Sequence, residues 1–418
     1  MIRLIEVLNF RCLRYIRQPL ENFHVLVGPN ASGKTTFLDV IALLGQIVSD
    51  GVEKAINDRT QNFSDLLWSG QGNCFELAVE ASIPEEKKET LRKRFDTIRY
   101  EIRIGYHDET EQVGILEERV LLKRWKDEEL VQLSFFPREH ELPNTFLSGK
   151  AKHGGRTVLS KGEKGNVNFY SEFLEESGKG WYPSIRLGPL KSALANLHED
   201  ETRFPVSTWF KKLLMEGVQI FVLNSLAIRK ASPPGQARRF KPDGSNLPWV
   251  LDDLWRADSR RFKEWLIHVQ TALPEIENIK TVERADDKHR YMKICYRGGI
   301  EVPSWMVSDG TLRLLALTLP AYLPEFKGIY LIEEPENGIH PTAVETVYQS
   351  LSSVYDAQIL LATHSPVILS MAPANRVLCF KKTESGVSDI VPGHKHPSLR
   401  DWKGQPNLSV LFASGVLG

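Results

Sequence analysis

Apolar and polar positions alternate through the opening stretch "IRLIEVLNF", and "FHVLVG" (23–28) is a short β-branched apolar run, so the chain is expected to start with strands. A strong helical apolar period follows in "FLDVIALLGQIV" (37–48). Three more strands are predicted by "NCFELAVEASI" (73–83), "TIRYEIRIGYH" (97–107) and "GILEERVLLKRW" (114–125). The charged run "PEEKKETLRKRF" (84–95) between the first two reads as a solvated connection. Residues 137–182, rich in Gly, Lys, Glu and Ser, read as a loop or a poorly packed insertion.

Helical spacing dominates 204–272, interrupted by a strand, "VQIFVLN" (218–224), and a basic Pro/Gly-rich loop, "IRKASPPGQARRFKPDGSN" (228–246). "NIKTVER" and "RYMKICY" read as a hairpin. From 311 onward an apolar helix, a strand, a helix and a strand alternate, with further strands near 376–391. That order predicts parallel α/β architecture. The apolar helix in "MVSDGTLRLLAL" (306–317) opens on Ser308-Asp309-Gly310-Thr311, residues that suit a plain helix cap or an anion-binding helix terminus equally well.

Bulk composition narrows the class. The 418 residues are 42% hydrophobic and 25% charged, and 53 Lys+Arg balance 53 Asp+Glu. Zero formal charge argues against a surface coated in positive charge for nucleic acid, while leaving room for a local basic groove. The four cysteines, Cys12, Cys74, Cys295 and Cys379, form no CxxC pair, which disfavours a zinc site and fits reduced thiols in a cytoplasm. No signal-peptide pattern and no membrane-length apolar run is visible, so a cytoplasmic location is expected.

Candidate chemistry sits at three strand ends. Gly28-Pro29-Asn30-Ala31-Ser32-Gly33-Lys34-Thr35-Thr36 matches GxxxxGK[ST] between an apolar strand and a helix. Backbone N–H groups around Asn30, Gly33 and Thr36 would cradle phosphates, Lys34 would reach the β/γ-phosphates of ATP, and the Thr35 hydroxyl would bind Mg²⁺. Downstream, "IYLIEEPENGIHP" ends an apolar strand in Glu333-Glu334. Two carboxylates there are costly unless they hold a cation or do chemistry. Glu333 is assigned to the Mg²⁺ shell through water, and Glu334 to the attacking water. His364 ends the next apolar strand in "LATHSP", 31 residues after Glu333, the length of one βαβ crossover. Both can therefore lie at carboxyl ends of neighbouring strands, with His364 near the γ-phosphate.

These motifs resemble the ABC-type ATPase heads of the RecF, OLD and SMC group. "IEVLNFRCL" with "GPNASGKTT" is similar to the start of such heads, "IEEPENGIHP" to their Walker B motif and D-loop, and "LATHSP" to their switch-histidine strand. "VSDGTLRLL" matches the OLD-like and RecF-like form of the ABC signature. "RLGPLKSAL", "DGSNLPWVLDDL" and "LFASGVLG" are similar to OLD-like predicted ATPases of AAA type, whose genes commonly neighbour a nuclease-like or TOPRIM-like protein.

The resemblance implies an α/β ABC head with a P-loop parallel sheet, an antiparallel β subdomain and a helical insertion. It implies one composite head: a lobe over 1–185, a helical region over 186–300, and a lobe over 301–418. Ser308 and Gly310 would face ATP bound by a second protomer, making a homodimer or higher assembly. Arg11 becomes a candidate adenine contact. The Q-loop glutamine stays open among Gln61, Gln71 and Gln132. No heptad arm fills the span between Lys34 and Ser308, and only 54 residues follow His364, too few for a C-terminal TOPRIM domain. The implied function is an ATP-driven switch that controls a co-encoded effector, a nuclease in anti-phage defence. The alternatives are a RecF-like clamp on DNA, using "IRKASPPGQARRFK" and "LLKRW", and a scaffold that scarcely turns over. Asp252-Asp253, Asp286-Asp287, "REHEL" and "GHKHP" read as surface features.

Overall fold

The computed structural model describes residues 1–107, 112–126, 135–148, 155–173, 185–236, 239–323 and 326–399. Its centre is a six-stranded sheet in the order Val218–Phe221, Ile329–Glu333, Gln358–Ala362, Phe23–Val27, Val377–Lys382, Ser388–Pro392. The first five strands pair in parallel and the last closes an antiparallel hairpin. The inner strands read as unbroken apolar runs because helices cover both faces. Strand Phe23–Val27 is buried at every position.

On one face lies the helix Lys34–Asp50, whose Phe37, Val40, Ile41, Leu43, Leu44 and Ile47 have no solvent exposure. It shares a core with an eight-stranded antiparallel sheet running from Leu13–Pro19 and Ile2–Phe10 through Cys74–Ser82, Thr97–Tyr106 and Val113–Lys123 to three short strands. The opposite face packs against Leu247–Ala257, Ser259–Ala272, Asp309–Thr318 and Pro341–Ser352. A three-stranded sheet of Ile276–Glu283, Arg290–Tyr296 and Ile300–Pro303 flanks them. Strands from all three sequence ranges meet in the central sheet.

Several expectations change. The stretch 137–182 is not simply a loop: Arg156–Lys161 and Asn166–Phe169 extend the antiparallel sheet, with Val158, Leu159 and Val167 fully buried. The alternation there is too short to stand out amid Gly, Lys and Glu. The charged run 84–95 contains a short helix, Glu85–Thr90. Asp252 is buried and ion-paired with Arg290 at 2.6 Å rather than a surface carboxylate. "REHEL" is anchored, since His140 Nε2 lies 2.9 Å from the buried carboxylate of Asp389. In "GHKHP", His396 is buried. "LFASGVLG" and Gln132 lie outside the described residues. No helix among the described residues is long and apolar enough to cross a membrane.

Candidate active site

Sheet register decides which side chains can meet. Ala362 pairs with Glu333 on one side and Leu26 on the other, so three strands end level. Beyond those ends lie the Gly28 loop, Glu334 and His364, at the carboxyl edge where open α/β sheets place their ligands. A cleft of about 890 Å³ opens there. Asn30, Gly33, Lys34, Thr35, Thr36, Glu333, Glu334, His364 and Arg11 all line it.

The loop needs its glycines for space as well as for backbone angle. A side chain at Gly28, φ 152°, would put its Cβ 2.3 Å from the Phe380 carbonyl oxygen. Gly33, φ 105°, caps the helix that begins at Lys34. The result is a helix N-terminus opening into the cleft, with unpaired N–H groups suited to an anion. Lys34 Nζ donates to the carbonyls of Gly28 (2.8 Å) and Pro29 (3.0 Å), which holds the ammonium at the loop. Burial lowers its pKa, and Glu334, Glu333 and Glu336 partly offset that.

The two acids of the pair have different surroundings. Thr35 Oγ1 donates to Glu333 Oε2 at 2.8 Å, bringing two hard oxygen atoms together across 298 residues. Glu334 leaves the strand with a left-handed φ of 45°, and its N–H donates to the Ala362 carbonyl at 2.8 Å. Its Oε2 accepts from Asn337 Nδ2. A non-glycine residue held in that region costs on the order of 1–3 kcal/mol and persists where neighbours enforce it. His364 has its pKa lowered, chiefly by burial and then by the Lys34 charge, with Glu334 and Glu336 opposing.

Sequence reasoning passed over Glu336. Its Oε1 accepts from Thr363 Oγ1 (2.7 Å) and from the His364 N–H (2.8 Å), locking the histidine's strand end to the turn after the acid pair. A third carboxylate in "EEPENG" was the available signal. The same turn reaches the "SDGT" helix: a Cβ at Gly310 would lie 2.6 Å from the Gly338 carbonyl oxygen. One turn thus contacts the acid pair through Asn337, the histidine strand through Glu336 and the Asp309–Thr318 helix through Gly338.

Ser308 and Gly310 do not line this cleft. Ser308 is exposed and caps its own helix, with Oγ accepting from the Thr311 N–H at 3.3 Å. Asp309 pairs with Arg229 at 2.7 Å. Arg11 lines the cleft but is also held by Asp39 at 3.1 Å. Neither Gln61 nor Gln71 is part of the lining. Of the basic segments considered for DNA, Arg229 is engaged with Asp309, and Lys123 with Glu80 at 2.7 Å.

A family model described as "AAA domain, putative AbiEii toxin, Type IV TA system" matches residues 23–370. Over 383 residues the chain is 22% identical to "Retron Vc95 probable ATPase" of Vibrio cholerae serotype O1 biovar El Tor, spanning 85% of this chain and 68% of that protein. Among solved structures, an SMC head bound to the C-winged helix domain of ScpA aligns with a TM-score of 0.54 at 14% identity, over 93% of this chain and 96% of that one. An SMC head domain from Thermotoga maritima aligns over 94% and 98% of the two chains at 12% identity, with a TM-score of 0.43. The family match takes in the phosphate loop, the acid pair and His364 together, so the chain belongs to this AAA-domain family and is an ATPase with the fold of an SMC-type ABC head.

Proposed function

We propose that the chain is an ATP-driven switch whose heads close around nucleotide and whose closure is read by a separate effector. The observation that carries this reading is the split of its motifs. Lys34, Thr35, Glu333, Glu334 and His364 share one cleft, while Ser308 stands exposed outside it. An exposed helix start that lies outside its own chain's cleft is accounted for if it meets the γ-phosphate held by a second copy.

In this reading Lys34 and the loop N–H groups bind the β- and γ-phosphates. Thr35 and Glu333 fit Mg²⁺, because the Thr35 hydroxyl and the Glu333 carboxylate lie 2.8 Å apart as hard oxygen ligands of the kind that ion takes. Bound there, Mg²⁺ supplies charge neutralisation at the β- and γ-oxygens. Glu334 orients the attacking water and accepts its proton through the oxygen that Asn337 leaves open. His364 donates toward the γ-phosphate and holds the water in line. The likeness to a retron ATPase supports a role in anti-phage defence, with a co-encoded effector such as a nuclease as the output.

Light scattering tests the assembly. Glu334→Gln should gain mass with Mg²⁺-ATP, and adding Ser308→Arg should abolish the gain. A Glu334→Gln chain that binds ATP without any change in mass would reduce "SDGT" to an ordinary helix cap.

A further inference from the structure

The triphosphate chemistry uses only the end of the cleft at Lys34, Thr35 and the acid pair. The rest of its roughly 890 Å³ is lined partly by a turn over 62–70 that no step above employs. Trp68 stands on that turn, the one phenyl or indole ring among the described residues lining the cleft, and it is half-buried.

The turn is fixed in place. The Arg11 N–H donates to the Leu66 carbonyl at 2.9 Å, and Leu67 bridges to Phe10, so the segment is stapled to the end of the first strand. Leu66 and Leu67 are buried beneath it. Ser69 (φ 52°) and Gly70 (φ 66°) then both take left-handed backbone, which bends the chain sharply after the indole. The Arg14 guanidinium sits 5.9 Å from the ring centroid. An arginine over one side of an indole stiffens it and is favoured by the ring's negative face. A planar ring held by its backbone, with a cation near one face and bordering the nucleotide cleft, is the form of a stacking platform.

We propose that Trp68 stacks against the nucleobase, so that the cleft binds a nucleoside triphosphate through its base as well as its phosphates. This rests on the ATPase reading and adds a base-recognition residue to it. Stacking of a base on an aromatic side chain corresponds to roughly 5- to 150-fold in affinity.

The test uses the full chain and calorimetric titration with Mg²⁺, comparing ATP with inorganic tripolyphosphate as a base-free probe. Trp68→Leu should weaken ATP binding within that range and leave tripolyphosphate binding unchanged, while Trp68→Phe should keep most of the ATP affinity. Trp68→Phe preserves the ring if the leucine variant folds poorly. Equal losses for both ligands, no loss for either, or a wild-type chain that holds tripolyphosphate as tightly as ATP would overturn the platform and leave the phosphate site standing. A wild-type chain that binds neither ligand would overturn the nucleotide reading itself.

Discussion

Gly310→Ala is a small change with an uneven expected effect. The added Cβ would lie 2.6 Å from the Gly338 carbonyl oxygen, with the Gly338 carbonyl carbon at 3.7 Å and Ile339 Cα at 3.8 Å. Ordinary contact therefore requires a displacement of roughly 0.6–0.8 Å between the helix start and the turn. Overpacking of this kind costs about 1–3 kcal/mol. Alanine returns up to about 1 kcal/mol because Gly310 lies inside a helix. The net loss is about 0–3 kcal/mol, and at this chain length about 1 °C in Tm accompanies each kcal/mol. Catalysis should suffer more than stability. The turn that must move also carries Asn337 against Glu334 and Glu336 against Thr363 and His364, and misplacement by about 1 Å can cost a hundredfold in rate. The expected outcome is a kcat lowered roughly 10- to 100-fold with Tm within about 3 °C of wild type. Steady-state phosphate release and a thermal melt on the same preparation measure both. Wild-type kcat at wild-type Tm would refute the coupling through Gly338.

Glu336→Ala leaves the buried Thr363 hydroxyl and the His364 N–H without their acceptor, so stability should fall by about 1–3 kcal/mol and kcat should drop, with Glu336→Gln retaining part of both. Denaturant melts and turnover rates check this, and an alanine variant as stable and active as wild type contradicts it. Because burial and Lys34 hold the His364 pKa of the nucleotide-free chain below the ordinary 6.5, the histidine-dependent acid limb of kcat/KM should lie below pH 6.5 and vanish in His364→Asn. A limb of kcat/KM centred above pH 6.5 would contradict this. His24 is buried, accepts from the Glu21 N–H at 2.8 Å, and has its pKa pushed down from 6.5 to about 4. The unfolded chain therefore takes up that proton first on acidification. Stability should be intact above pH 6.5 and fall by up to about 3 kcal/mol towards pH 4. Urea melts at pH 7 and pH 5 should show the difference narrowing in His24→Gln.

The phosphate loop, acid pair and His364 were legible because each is a local pattern at the end of an apolar strand. The 31-residue spacing of Glu333 and His364 was enough to place those two on neighbouring strands, whereas the place of the phosphate-loop strand beside Gln358–Ala362 came from the structure. Glu336 was not legible as a latch, since its partners lie 27 and 28 residues away and appear only once two strand ends are level. Gly310 looked like a turn or phosphate residue, whereas the closest demand on it is the Gly338 carbonyl of another element. Trp68 sits in a 3₁₀ turn, where neither period marks an aromatic as facing a cleft. The strands at 156–169 were hidden by composition: they are short, and their apolar positions are few beside the surrounding Gly, Lys and Glu.

The strand that leads into the phosphate loop has a further consequence, for biosynthesis. Phe23–Val27 is made early, yet both of its neighbours in the sheet, Gln358–Ala362 and Val377–Lys382, come more than 300 residues later. At ordinary translation speeds the loop leaves the ribosome on the order of 20–70 s before the strand that completes its flank. Until then its apolar face has no sheet to join and its glycines have no frame to hold their backbone angles. Nucleotide binding therefore arrives late and all at once, and a nascent chain cannot spend ATP before Glu333 and Glu334 have joined the sheet.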